Sequence, residues 1–149
     1  MIEKSIKIES GLEETPILIR TFLSHPGELK AVRKDVTATA QKLGCGTTDI
    51  QDLVLAIDEA CQNIIRHAYG DGCEGEITLT IFQIDCDIVV IIRDFAECVD
   101  IEKIKPRELD DLRPGGLGTH LIAEVMDQVE FMPQPAEGGN LLRMVKRIS

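Results

Sequence analysis

The sequence predicts an α+β fold, a two-layer sandwich in which helices pack on one face of a mixed, largely antiparallel sheet. Three observations lead there. Residues 76–84 and 87–93 read as strands separated only by Asp85 and Cys86, so they should pair as an antiparallel hairpin. Apolar residues recur at helical spacing before the hairpin, over 27–43 and 50–68, and after it, over 117–129. Strand and helix patterns are segregated along the chain, which indicates helices laid over one sheet.

Taken in order, residues 2–8 alternate apolar and polar, the pattern of a strand with one buried face. Ile17 to Leu23 forms either a second strand or the lead into the next element, since Pro16 and Pro26 bracket it and proline does not suit a central strand. From Gly27 to Leu43, Leu29, Val32, Val36, Thr39, Ala40 and Leu43 give a first helix, with Gly44 and Gly46 as stop signals. Thr47-Thr48-Asp49 supplies capping residues for a long second helix. Its buried stripe is expected to be Ile50, Leu53, Val54, Ile57, Cys61, Ile64 and Ala68, and Gly70-Asp71-Gly72 ends it.

Glu76 to Ile84 alternates strictly, and Asp87 to Arg93 is a denser β-branched run. Residues 94–116 have no clean period beyond a short helix around Glu108 to Leu112. An irregular connection longer than about 12–15 residues in a compact domain usually serves as a lid or binding loop. Leu117 to Val129 returns to helical spacing. Val129 to Met132 and Leu141 to Ile148, joined by a turn at Gly138-Gly139-Asn140, read as a second hairpin.

Composition narrows the function classes. At 149 residues, 44% hydrophobic and 28% charged, the chain has the profile of one globular domain spanning residues 1–149. Aromatics are 3% and Trp is absent, so the core must be aliphatic. A formal net charge of -10 argues against nucleic-acid binding through a general basic surface, so any phosphate must be held locally. Cys45, Cys61, Cys73, Cys86 and Cys98 form no CxxC pair, which favours reduced thiols over a disulfide framework or zinc site. No leader pattern and no apolar run of about 18 residues is present, so a cytoplasmic protein without a membrane span is expected.

Three pieces carry possible chemistry. On the long helix, Glu59, Asn63 and His67 stand four residues apart and form one polar ridge. Glu59 with Asn63 offers a base one turn from an oxygen suited to Mg2+, or is simply a solvated face. Asp94 ends a buried strand, where an acid either orients a ligand or starts a turn. Pro114-Gly115-Gly116-Leu117-Gly118-Thr119-His120-Leu121-Ile122 runs from glycines straight into a helix, which suits phosphate, although such a run is elsewhere only a cap. There is neither a GxxxxGK[ST] loop nor a GxGxxG after the first strand, so a P-loop or Rossmann site is not supported.

In that order the pieces resemble the GHKL ATPases, or Bergerat fold, and within them the anti-sigma factor serine kinases of the RsbW and SpoIIAB type. Glu59-Ala60-Cys61-Gln62-Asn63 followed by His67-Ala68-Tyr69 is similar to their N-box. Asp94 to Asp100 sits at the place of the first glycine box, and Gly115 to Ile122 is similar to the second. The resemblance implies ATP or ADP with Mg2+ as cofactors. It gives Asn63 the metal and Glu59 the role of base toward a protein serine. Asp94 would accept a hydrogen bond from the adenine amino group, the residues Gly115, Gly116, Leu117, Gly118 and Thr119 would cradle phosphates, and Val99 to Pro114 would be the lid.

The partners implied are a STAS-type anti-sigma factor antagonist as substrate and a sigma factor as captive, with the kinase as a homodimer. A sensor kinase or gyrase-like reading would need a phosphoacceptor or transducer domain for which 149 residues leave no room. One position departs from the family pattern: Ala96 stands where the first glycine box has glycine, adding a methyl where the backbone approaches the base. That departure motivates the alternative of a nucleotide-responsive or nucleotide-independent binding regulator.

Overall fold

A computed structural model describes residues 6–7, 13–69, 75–95, 117–133 and 139–148. Ala96, Gly115, Gly116, the lid at 99–114 with its short helix, the helix stop at 70–72, Cys73 and Cys98 lie outside the described residues. The architecture is α+β: helices cover one face of a five-stranded sheet. The strands are β3 (Leu18–Leu23), β4 (Glu76–Ile84), β5 (Asp87–Asp94), β6 (Gln128–Pro133) and β7 (Asn140–Arg147), in the order β3-β4-β5-β7-β6. All four pairings are antiparallel, so among the described strands the sheet has no parallel member. Two short strands, β1 (Ile6–Lys7) and β2 (Glu13–Glu14), pair separately, and β1 is the described part of the strand expected over 2–8.

Ile17 to Leu23 resolves into β3, an edge strand, which is where flanking prolines are tolerated. β4 and β5 form the expected hairpin. Asp85, with φ 54, opens the two-residue turn, and aspartate is among the few non-glycine residues that adopt this conformation readily.

The first helix, α1 (Leu29–Lys42), follows a 3-10 turn over Pro26–Glu28. It ends in a Schellman motif: the Gly44 amide donates to Gln41 O at 3.0 Å and the Cys45 amide to Ala40 O at 3.1 Å, with Gly44 at φ 79. The second helix, α2 (Thr47–Asn63), begins one step earlier than its capping residues suggested. Gly46 occupies the cap position without a side-chain bond, so Thr47, Thr48 and Asp49 lie inside the helix. The third helix, α3 (Leu117–Val125), is shorter than its apolar spacing implied, because Val129 turns out to belong to β6 and packs opposite Met144.

The core lies between the helices and the inner face of the sheet. Val32 and Val36 of α1, Leu53, Ile57 and Cys61 of α2, and Ile122 of α3 meet Ile77, Leu79, Ile88, Val90 and Ile92. Each fully buried Ile or Leu contributes about 1.5–3 kcal/mol, so this aliphatic cluster holds the layers together. Cys45, Cys61 and Cys86 are free thiols. Ala56 and Ala60 also join the buried stripe of α2, letting the helix sit close on the sheet, while Ile50 and Val54 pack at its margin.

Candidate functional site

The directions of the elements decide what meets at each end of the sandwich. Lys146 on β7 lies opposite Ile88, and its ammonium donates to Asp52 Oδ2 at 2.9 Å and to the Val125 carbonyl at 2.7 Å. It ties the early part of α2 and the last residue of α3 to the end of the sheet where β5 begins. From Asp52 the helix rises roughly 16 Å to Asn63, and β5 covers roughly 20 Å from Ile88 to Asp94. Because Ala56, Ile57, Ala60, Cys61 and Ile64 are all buried against the sheet, α2 has to run toward Asp94 rather than off the near edge.

The third helix lies beside α2, and because its last carbonyl and Asp52 early in α2 accept from the same ammonium, it runs the other way. Shortly after Val125 the chain enters β6, which begins opposite Val145 and finishes opposite Asn140. The end of α2, the end of β5 and the start of α3 therefore gather at one end of the molecule.

Asn63 stands three residues after Ala60, on the inward stripe of α2, and is 5% exposed. Its Oδ1 accepts a 2.9 Å hydrogen bond from Nη2 of Arg66, a residue that is itself exposed. Glu59, one turn earlier, is half-buried and makes no hydrogen bond or ion pair among the described residues. Its neighbour Asp58 faces α1, accepting from Arg33 at 2.8 Å and from Gln62 at 2.6 Å. The adjacent acids are thus divided: Asp58 fastens two helices together, and Glu59 is left on the flank that leads to Asn63.

From Ile64 to Tyr69 the backbone is a π-helical turn. The wider turn departs from the α-helical spacing on which the ridge from Glu59 through Asn63 to His67 was expected. The π turn begins at Ile64, which is still in the core, and such turns are frequent at functional sites. The His67 side chain lies outside what is described. His120 is exposed on α3 and pairs with Glu124 at 3.3 Å.

Asp94 continues the inward face of β5 set by Ile88, Val90 and Ile92, and is 2% exposed. Its Oδ1 accepts from the Asn140 amide at 3.2 Å, and the Asn140 side-chain amide faces both carboxylate oxygens at 3.4 and 3.5 Å. Gly139, at φ 79, lies so close that an added Cβ would overlap the Asp94 carbonyl. The next residue, Phe95, is 40% exposed, with the Arg93 guanidinium 4.8 Å from its ring centre. Leu117, Gly118 and Thr119 form the first turn of α3, whose amides have no carbonyl partner within the helix.

Among the described residues no three His, Cys, Asp or Glu side chains cluster as a metal site. A groove of about 460 Å³ between α1 and α2 is lined by Arg33, Thr37, Ile50, Gln51, Val54, Leu55 and Asp58. It contains none of Glu59, Asn63 or Asp94, and its charges are already paired with each other.

Residues 22–146 match the family model of the histidine kinase-like ATPase domain. The chain belongs to that family. Within it, the chain falls with the RsbW-type anti-sigma factor serine-protein kinases. It is 34% identical to the serine-protein kinase RsbW of Oceanobacillus iheyensis, covering 73% of this chain and 74% of that one. It is 30% identical to RsbW of Bacillus pumilus, covering 91% and 88%. A crystal structure of the RsbU and RsbW domains of a Mycobacterium tuberculosis protein superposes with a TM-score of 0.63 at 17% identity. It covers 91% of this chain and 34% of the longer one, and shows the shared fold.

In this RsbW-type chain, Asn63 and Asp94, both singled out from the sequence, are buried near the ends of α2 and β5, and Glu59 lies one turn before Asn63. Gly139 and Asn140 were not singled out. In the sequence they look like an ordinary hairpin turn, and only the register that sets Asn140 opposite Asp94 brings them to that carboxylate. Arg66 was also missed, although its position three residues after Asn63 on a helix was a readable signal.

Proposed function

We propose that this chain is an ATP- and Mg2+-dependent protein serine kinase that phosphorylates a STAS-type anti-sigma factor antagonist and sequesters a sigma factor. The observation that carries the proposal is the gathering of Asn63, Asp94 and the start of α3 at one end of an RsbW-type sandwich. In this reading residues 1–149 act as one ATP-binding domain, in the cytoplasm, as a homodimer and without direct contact to nucleic acid.

Asp94 is the acceptor for the adenine amino group. It is a buried carboxylate at the end of a strand whose inward face is otherwise aliphatic, which is where a polar group can orient a ligand in a mostly apolar pocket. Asn140 and Gly139 fix its position. The amides of Leu117, Gly118 and Thr119 in the first turn of α3, together with the preceding Gly115 and Gly116, hold phosphate oxygens, helped by the positive end of the α3 dipole.

Asn63 is the metal-facing residue. Its Oδ1 is a hard oxygen already engaged with a cationic group, which suits Mg2+, a cation that takes oxygen ligands. When bound, Mg2+ neutralises charge developing on the transferred phosphoryl group. Glu59, half-buried and without a partner among the described residues, takes the proton from the attacking serine hydroxyl. Positioning and electrostatics do the rest.

The test is phosphate transfer from labelled ATP to the cognate antagonist. Wild type transfers, and Glu59→Gln loses at least about 100-fold in rate while keeping ATP affinity within about twofold. Ala96 favours a second reading, a regulator that responds to nucleotide but turns over poorly or not at all. Binding of the antagonist by wild type without any transfer would decide for that reading.

A further inference from the structure

Arg66 holds the same oxygen that the proposed function assigns to the metal. Its Nη2 lies 2.9 Å from Asn63 Oδ1. The two residues differ sharply in setting: Asn63 is 5% exposed on the inward stripe, whereas Arg66 is exposed and reaches back over the turn where the α-helix gives way to the π turn. A carboxamide oxygen is neutral and accepts one strong cationic partner readily, while a guanidinium carries a permanent charge that no pH change near neutrality removes. Two cations on one neutral oxygen repel each other.

We infer that Arg66 is a built-in stand-in for the metal, occupying Asn63 Oδ1 in the nucleotide-free chain and yielding it when Mg2+-nucleotide arrives. The inference rests on the reading of Asn63 as the metal-facing residue. It adds that residue 66 sets how much Mg2+ the site needs. A buried asparagine oxygen with no partner would cost more than a satisfied one, so Arg66 stabilises the empty site. Its exposed, flexible side chain can leave into solvent without unpacking the core, which keeps the competition modest. The arrangement keeps the Asn63 oxygen turned toward a cation, in the orientation it needs later.

The test is ADP binding by calorimetry across a Mg2+ series, with Arg66→Gln and Arg66→Lys beside wild type. Arg66→Gln should reach half of its Mg2+-dependent gain in affinity at a roughly fivefold lower Mg2+ concentration. Arg66→Lys, whose ammonium can hold the same oxygen, should fall between that variant and wild type. With Mg2+ chelated, neither variant should bind ADP more tightly than wild type. Melting of the unliganded proteins checks that each variant folds, and Arg66→Lys still decides the matter where Arg66→Gln does not fold. An unchanged Mg2+ dependence would overturn the inference alone. So would weaker ADP binding by Arg66→Gln at every Mg2+ concentration, which would make Arg66 a direct phosphate ligand. Failure of wild type to bind ADP at all would remove the nucleotide site and this inference with it.

Discussion

Gly44 and Gly139 share a φ of 79, yet the two positions demand glycine for different reasons. A Cβ on Gly44 would meet nothing within 4 Å, so Gly44→Ala carries only the left-handed strain, about 1 kcal/mol. A Cβ on Gly139 would overlap the Asp94 carbonyl, and the two strands would have to part. Gly139→Ala should cost at least about 2 kcal/mol more in urea unfolding and weaken ATP binding, while Gly44→Ala leaves binding unchanged. Cys61 gives a second prediction at this scale. Burial, and secondarily the charge of Asp58, push its thiol up to about 12. Between about pH 9 and pH 12 the unfolded chain has released this proton and the folded chain retains it. Stability should therefore be complete below pH 8.5 or so and fall as pH rises through that window, by up to about 1.4 kcal/mol per unit from this thiol. The half-buried thiol of Cys45, also raised by burial, acts in the same direction. Unfolding at pH 8 and pH 10 should show a smaller drop for Cys61→Ala than for wild type.

Among the elements, Lys146 does the work of joining three. Its side chain is 13% exposed and contacts Asp52 on α2 and the last carbonyl of α3. Asp52→Ala leaves that ammonium with one neutral acceptor, and should cost about 2 kcal/mol while sparing ADP affinity, because the proposed site is at the far end of α2. The paired strands β4 and β5, helix α1 and the closing hairpin were legible because each obeys a single local rule: strict alternation, three-four spacing or a glycine turn. The end of α2 was not. Its backbone turns π-helical from Ile64, and a π turn is a response to packing that no side-chain period announces. The limits of α3 failed for a related reason, since Val129 continues a helical spacing by coincidence while its pairing with Met144 makes it a strand residue.

At the scale of the whole molecule, the candidate site follows from topology. The second helix and β5 run toward the same end of the sandwich, and α3 starts there. Residues far apart in sequence are brought together because an antiparallel sheet returns the chain to that end after each hairpin. Asp94 was visible as an acid ending a buried strand. Its partner Asn140 was not, because 46 positions separate them and only strand register joins them. Whether this end is a nucleotide site with Asp94 as its specificity contact is read from thermal melting of wild type and Asp94→Asn with ATP and Mg2+. Ligand at about 100 times its Kd should stabilise wild type by about 2.7 kcal/mol, a rise of roughly 5–10 °C for a chain of this size, and GTP should give far less. Asp94→Asn should fold and show little or no rise with ATP. No rise for wild type, or an equal rise for Asp94→Asn, would contradict the account.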